Sequence, residues 1–521
     1  MGIRQTIDKL PFLRKLSFSV GHVMNDLCAS IWFSYSLVYY RNVAQFSNYM
    51  AGYMMLLGQI ADAIATPLVG YEADHTEKGF CGYSKRKSWH LVGTLCVALS
   101  FPFIYNLCIT CENAPDWSQF IYYAPFVVIF QFGWATTQIS FLSLIPVLTP
   151  YEDERVELNA MSYAFTVISN VAVYGLTWLL LNTNNDDAGK MKQVLGRADA
   201  PTFGHLALIV IGIGLVFSAI FHFGTNESRQ SSDSYIQQQS VESIESHSFE
   251  RSGEKLTMKW TCWLKLKQFY LVSVLYMCTR LVVNISQIYL PLFLLDALKL
   301  DKVYMAIIPL MVFVSGFLTS MLMKVVNRMC GRKITYFIGL LTIYGACIWF
   351  YCISLYRLDM QIFGAAVLLG SGCSTILITS LSMTADLISE NTETGAFVYG
   401  AMSFTDKLSN GITVVFIQRF YPCLTCCVSC HYRNVMAFVP GGVGLVALIV
   451  LLCLVPQKIG DRSHLEAKMR LRPVDKYSKI GVEEEEEFKE EVKEEEPLCK
   501  DQCGAPSDGA AAADGVDYGA C

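Results

Sequence analysis

Twelve stretches of roughly 20 mainly apolar residues recur along this chain, the length that carries an α-helix across about 30 Å of hydrocarbon. They fall at residues 17–40, 48–71, 88–109, 119–148, 159–181 and 203–223, then at 268–295, 303–326, 333–354, 361–388, 396–420 and 434–455. With 53% of 521 residues hydrophobic and only 16% charged, the chain carries more apolar surface than one globular core buries. The pattern predicts an all-α polytopic membrane protein of two six-helix bundles. Expected divisions are an N-terminal segment at 1–16, bundles at 17–224 and 261–456, a linker at 225–260 and a tail at 457–521.

The linker, Thr225 to Trp260, is rich in Ser, Gln and Glu and lacks apolar periodicity, so it is expected to stay flexible. The tail turns acidic at Glu483 to Glu487 and Glu494 to Glu496, which concentrates the net charge of -5 there and leaves the membrane body basic. Lys and Arg collect in the N-terminus, the loops after the second and eighth segments, the linker and the tail, which predicts cytoplasmic termini. A polar, basic start without a small-residue cleavage pattern marks the first segment as a retained helix. In the tail, Tyr477 to Ile480 form a Tyr-x-x-apolar pattern of the kind sorting adaptor complexes read. No nucleic-acid partner is expected.

Cysteines inside helices behave by default as small hydrophobes. Two clusters fall in loops on the opposite side, Cys108 with Cys111, and Cys423, Cys426, Cys427 and Cys430 followed by His431. Their spacing leaves zinc, free thiol and disulfide open, and a secretory-route loop favours the disulfide.

Polar groups inside spans are costly, so each must face a cavity or a partner. Asn25 and Asp26 stand in the first segment, Asp62 and Thr66 in the second, Gln138 in the fourth, Arg280 and Asn284 in the seventh, and Asp406 with Lys407 in the eleventh. Acids in the first half facing Arg280 and Lys407 in the second would suit a zwitterion, since a dry cavity binds both charges well only if each meets a partner. The structural alternative is that these charges pair with one another and lock the halves. Asp62 and Thr66, one turn apart, share a face and offer one carboxylate and one hydroxyl, enough for a proton and thin for sodium. His22 reads as a packed, hydrogen-bonded side chain. In the loops, Asp74 with Arg86 or Lys87 can pair with Arg155 and Glu152 as a cytoplasmic gate, or can be plain topology signal.

Asp62-Ala-Ile-Ala-Thr-Pro67-Leu-Val-Gly70, followed by Asp74 and Gly82 to Lys87, resembles the second-helix signature of the glycoside-pentoside-hexuronide cation symporters, a branch of the major facilitator superfamily. Gln138 to Pro146, Glu154-Arg155 to Asn159, and Thr394-Gly395 to Lys407 resemble the fourth helix, the loop after it and the entry to the eleventh. The resemblance implies that superfamily's fold, with twelve helices in two pseudo-symmetric bundles. That branch carries further carboxylates where this chain has Thr66 and Gln138, so Asp62 alone remains of its cation site. Its sugar-binding Lys-Asp pair is matched here by Asn25-Asp26.

With the Gly21 to Asp26 start, the likeness narrows to lysosomal and melanosomal members and implies import of cysteine from the cytosol. A sugar or lysolipid cargo, or a non-transporting scaffold acting through linker and tail, are the competing expectations. No nucleophile with its base, metal quartet or phosphate-cradling glycine loop points to an enzyme, and no cofactor or metal is expected.

Overall fold

The computed structural model describes residues 10–75, 84–109, 114–149, 151–183, 194–225, 263–356, 361–388, 395–420, 428–457 and 459. The expected linker beyond Thr225 and the tail beyond residue 459, with Tyr477 and Ile480, lie outside them. So do Cys111, Cys423, Cys426 and Cys427.

Among the described residues the chain is helical throughout. The first span is α1 (Phe12–Ser19), a 3-10 turn (Val20–His22), α2 (Val23–Val38) and a π-turn (Tyr39–Val43). Then follow α3 (Asn48–His75), α4 (Lys85–Ile104), α5 (Asp116–Leu148), α6 (Glu152–Thr183) and α7 (Ala200–Gly224). The second half repeats the order with α8 (Lys267–Leu292) and its π-turn (Phe293–Ala297), α9 (Tyr304–Cys330), α10 (Arg332–Tyr356), α11 (Ile362–Ile388), α12 (Gly395–Arg419) and α13 (Val428–Leu454). Ten of these twelve spans are long and apolar enough to cross a membrane. The two that fall short are the first, broken into short pieces, and α12, which carries Asp406 and Lys407.

Small residues set how closely the helices approach within each bundle. A Cβ on Gly93 of α4 would meet the Gly133 carbonyl oxygen of α5 at 2.8 Å, and one on Gly370 of α11 would meet the Val312 carbonyl oxygen of α9 at 2.1 Å. The bundles meet along three helix pairs: α2 against α8, α3 against α12, and α6 against α9. That arrangement leaves the faces of α2, α3, α8 and α12 turned toward one another.

At the end of the molecule where α1 begins and α13 closes, α1 is pinned to the start of α6. Buried Glu154 accepts from the Leu10 amide at 3.0 Å and the Thr149 hydroxyl at 2.6 Å, and pairs with Lys15 at 3.2 Å. Burial pushes its carboxyl up, but the Thr149 hydroxyl, Lys15 and the Leu10 amide together outweigh that and hold it below the usual glutamate value. Lys15 also donates to Glu157 Oε2 at 2.6 Å. A depressed carboxylate contributes stability that is full above its unfolded pKa and fades as pH falls through its folded one. Hydrogen-exchange protection of residues 12–19 is therefore expected at neutral pH and lost on acidification, with the pH dependence flattened in Glu154→Gln.

Packing gives a second expectation. Gly93→Val and Gly370→Val should each lower the thermal-unfolding midpoint in detergent, the cost of overpacking being about 1–3 kcal/mol. Gly212→Ala, where an added Cβ meets nothing within 4 Å, should not. Equal midpoints for all three variants would mean that the helices are not in close contact at these glycines.

Candidate functional site

Asp62 and Thr66 are one turn apart on α3, so both face α12. There the Lys407 ammonium lies 2.6 Å from Asp62 Oδ1 and donates to Thr66 Oγ1 at 2.8 Å, while the Thr66 hydroxyl donates to the Asp62 carbonyl at 2.9 Å. Asp62 is 3% exposed. The Trp134 ring of α5 stands 5.7 Å from the ammonium. Gly411, one turn beyond Lys407, admits the contact, since a Cβ there would meet the Leu56 side chain at 2.6 Å. The two bundles are thus joined by a buried ion pair.

Successive residues on a helix point about 100° apart. Asp406 therefore turns away from α3 toward α8, where Arg280 Nε donates to its Oδ2 at 3.1 Å. Asn410 donates to its other oxygen at 2.6 Å. The direct partner of Arg280 is thus a carboxylate of its own half, while Asp62 of the first half lies close enough to act on it electrostatically. Arg280 nonetheless keeps capacity: its side chain is 31% exposed, and its remaining guanidinium nitrogens have no further hydrogen-bond partner among the described residues. Asn284, buried and one turn along α8, shares its face. Gln287 of the same helix donates across the interface to Ser34 Oγ of α2 at 3.0 Å, and Ser34 bonds the Tyr174 hydroxyl of α6 at 2.7 Å.

In the first half, Asp26 contacts His22 Nδ1 at 2.9 Å and accepts from Thr166 of α6 at 2.8 Å. Asn25 donates to the Trp134 carbonyl at 3.1 Å, tying α2 to α5. Gln138 is half-buried on α5, one residue past Thr137. The structure thus brings Asp62, Thr66 and Lys407 together, sets Arg280 and Asn284 on a neighbouring helix, and leaves Asn25 and Asp26 bonded within their own bundle. His22 is packed and bonded to Asp26 one turn on, and Asp406 meets its partner in Arg280; the i to i+4 spacing of His22 with Asp26 and the adjacency of Asp406 to Lys407 were the signals for both.

Two cations of the expected loop gate bond backbone carbonyls. Lys87 donates to the carbonyls of His222 at 2.9 Å and Thr225 at 2.7 Å, anchoring α4 to the end of α7. Arg155 Nε donates to the Thr149 carbonyl at 2.9 Å. Arg86, the second residue of α4, is half-buried, and the side chains of Asp74 and Glu152 lie outside the described residues. Cys108 and Cys430 are each disulfide-bonded, which supports the disulfide reading of both loop clusters.

Two helical bundles meeting along a charged, buried seam define a multi-pass membrane solute carrier. The chain belongs to the MFS/sugar transport protein family, whose sequence model matches residues 16–418. It is 48% identical over 464 residues to major facilitator superfamily domain-containing protein 12 of Mus musculus, covering 87% of this chain and 96% of that protein. The Homo sapiens protein of the same name is 48% identical over 456 residues, 85% and 93% of the two chains. The fold is similar to the crystal structure of a D-xylose-proton symporter, with a TM-score of 0.65 at 14% identity over 86% of this chain and 99% of that one.

The ion pair across the seam gives a direct expectation. Removing one partner of a buried pair costs about 3–5 kcal/mol because the other charge is left unpaired. Asp62→Asn and Lys407→Met should each lower thermal stability strongly, and the double variant should lose much less than their sum. Additive losses in that double-mutant cycle would exclude a direct interaction.

Proposed function

We propose that the protein is an alternating-access carrier that moves a small amino acid, cysteine, from the cytosol into lysosomes and melanosomes. The observation that carries this reading is the seam itself: Asp62 from one bundle meets Lys407 from the other, and Arg280 sits one helix away with open nitrogens. A zwitterion entering between the bundles offers a carboxylate to Arg280 or Lys407 and an ammonium to Asp62 or Asp26. It would replace a protein–protein ion pair with protein–solute pairs, so binding and separation of the bundles become one event. A carrier cycling between two seam arrangements needs that coupling. The cytoplasmic placement of both termini and sorting through Tyr477 to Ile480 belong to the same reading.

Proton linkage follows from the balance of charge. At the seam the carboxylates of Asp62 and Asp406 meet the cations Lys407 and Arg280, and inside the first bundle a proton on His22 would balance Asp26. Asp62 already holds a lysine ammonium where a coupling cation would bind, which favours a proton over sodium. The sugar reading draws on the family description and on the amide-rich faces carrying Asn25, Gln138 and Asn284.

Uptake of labelled cysteine into lysosomes or proteoliposomes, with an imposed pH gradient, separates these readings. Uptake is expected in the parent, lost in Asp62→Ala and Lys407→Ala, and less pH-dependent in His22→Gln. Normal uptake in both alanine variants would overturn the assigned roles. Competition by unlabelled sugars but not by amino acids would move the cargo to the sugar class.

A further inference from the structure

Three of the chain's eight histidines gather in the first bundle, where the opening span breaks at the 3-10 turn Val20–His22. His22 belongs to that turn, His90 to α4 and His222 to the last turn of α7. The His90 ring lies 4.3 Å from the Phe221 ring, and the His22 ring 5.2 Å from that of Phe141. Gly21 makes this approach possible, since a Cβ there would meet Phe221 Cδ2 at 2.4 Å. His90, 0% exposed, bridges two neighbours: its Nε2 stands 3.2 Å from the Gly21 carbonyl oxygen, and its Nδ1 stands 3.1 Å from His222 Nε2.

These partners fix where each proton sits. A carbonyl only accepts, so His90 carries a proton on Nε2. Fully buried, with the Lys87 ammonium one turn away and no carboxylate bonded to it among the described residues, the ring is neutral, and its Nδ1 accepts from His222 Nε2. By the same rule the Asp26 carboxylate, 2.9 Å from His22 Nδ1, makes that nitrogen a donor. Three acceptors thus set three imidazoles.

The His90–His222 bond is one rung of a ladder that fastens α4 to α7. Lys87 donates to the carbonyls of His222 and Thr225 at one end of it, and Thr94 meets Ser218 at 3.5 Å one turn further in. His90 extends that ladder to the first span. A helix break leaves carbonyls for side chains to satisfy, and the one held at residue 21 sets the direction in which His22 leaves the turn. The pair of His22 and Asp26 is therefore held from two sides, by His90 before it and by Thr166 of α6, which donates to Asp26 at 2.8 Å. Other charged and titratable groups nearby are Lys87 and His222, while Lys15 of α1 is taken up by Glu154 and Glu157, and α5 and α6 present Phe141 and Thr166.

We propose that His90 is a positioning residue: bonded to the Gly21 carbonyl and backed by His222, it aims His22 at Asp26 and keeps that pair assembled. The inference rests on the reading of His22 and Asp26 as the proton-linked pair, and it names what holds them. His90 acts on transport through Gly21 and His22. A glutamine at position 90 keeps a donor for the carbonyl and an acceptor for His222, whereas a phenylalanine keeps the ring and loses both.

The test reads the imidazoles directly. The full chain, labelled with 15N-histidine and reconstituted in vesicles, gives solid-state spectra in which His22→Gln, His90→Gln and His222→Gln assign the three rings. In the parent, His22 should be protonated at Nδ1 with the downfield proton of a bond to a carboxylate, a signal that shifts in Asp26→Asn. His90→Phe should lose that signal and His90→Gln should keep it. Retention in His90→Phe, or equal loss in both variants, would overturn the proposal. If His90→Phe fails to fold, the parent decides: recoupling to 13C-labelled glycine carbonyls should find a protonated His90 Nε2 beside one, and its absence would refute the bond. Uptake of labelled cysteine gives a separate arm, in which His90→Phe should flatten the pH dependence as His22→Gln does and His90→Gln should restore it. A parent-like pH dependence in His90→Phe would count against the role, whereas no uptake in the parent would remove the cargo reading and leave the spectra to decide this one.

Discussion

The contact between Asp62 and Lys407 is the constraint on which the rest of the architecture depends. A carboxylate or an ammonium alone in hydrocarbon is costly, and neither helix can carry its charge into the membrane interior unless the other is there to meet it. The Thr66 hydroxyl, the Trp134 ring and the close approach allowed by Gly411 complete the pocket around the pair. Because the partners belong to different bundles, the most demanding electrostatic requirement in the molecule is met only where the bundles touch. An interface built this way is strong when paired and can be re-paired by a solute carrying both signs.

The interiors of the bundles follow another rule. Gly93 against Gly133 and Gly370 against Val312 bring backbones together with no room for a side chain, and the aromatic core around Tyr39, Tyr40, Tyr105 and Phe203 fills the first half densely. Such packing has one good arrangement and resists deformation. The polar seam between the bundles is joined instead by ion pairs and hydrogen bonds that can exchange partners. Rigid halves with an exchangeable contact are what a rocking carrier requires, and the family to which the chain belongs is one of transporters.

Much of the fold was legible because apolar runs of membrane-spanning length are hard to mistake, and the ends moved only where local chemistry intervened. Helix α6 begins at Glu152 rather than near Asn159, since its charged first turn is helical outside the apolar run and is held there by Glu154. Helix α4 stops at Ile104, two residues past Pro102, rather than reaching Ile109. In the site, Asp62, Arg280 and Lys407 stood out singly as costly residues. Their pairing did not, because Lys407 lies 345 residues from Asp62 and one step of helix rotation from Asp406, and sequence alone does not say which neighbour each faces. The charges at the span ends were less legible still. Arg41, Asp296 and Lys302 sit at span ends, where charge is ordinary, and the left-handed residues just beyond the two π-turns are Gln45 and Lys299 rather than glycine.

The shortfall of two spans in apolarity reaches back to how the protein is made. Ten helices can partition into the bilayer on their own merits, whereas α12 arrives late in synthesis with Asp406 and Lys407 at its middle. Helices α3 and α8, which precede it in the chain, supply Asp62 and Arg280 as the partners of those charges, so the placement of α12 in hydrocarbon depends on them. A fault in α3 would therefore be felt 345 residues on, in a helix that falls short of the apolarity a span needs by itself.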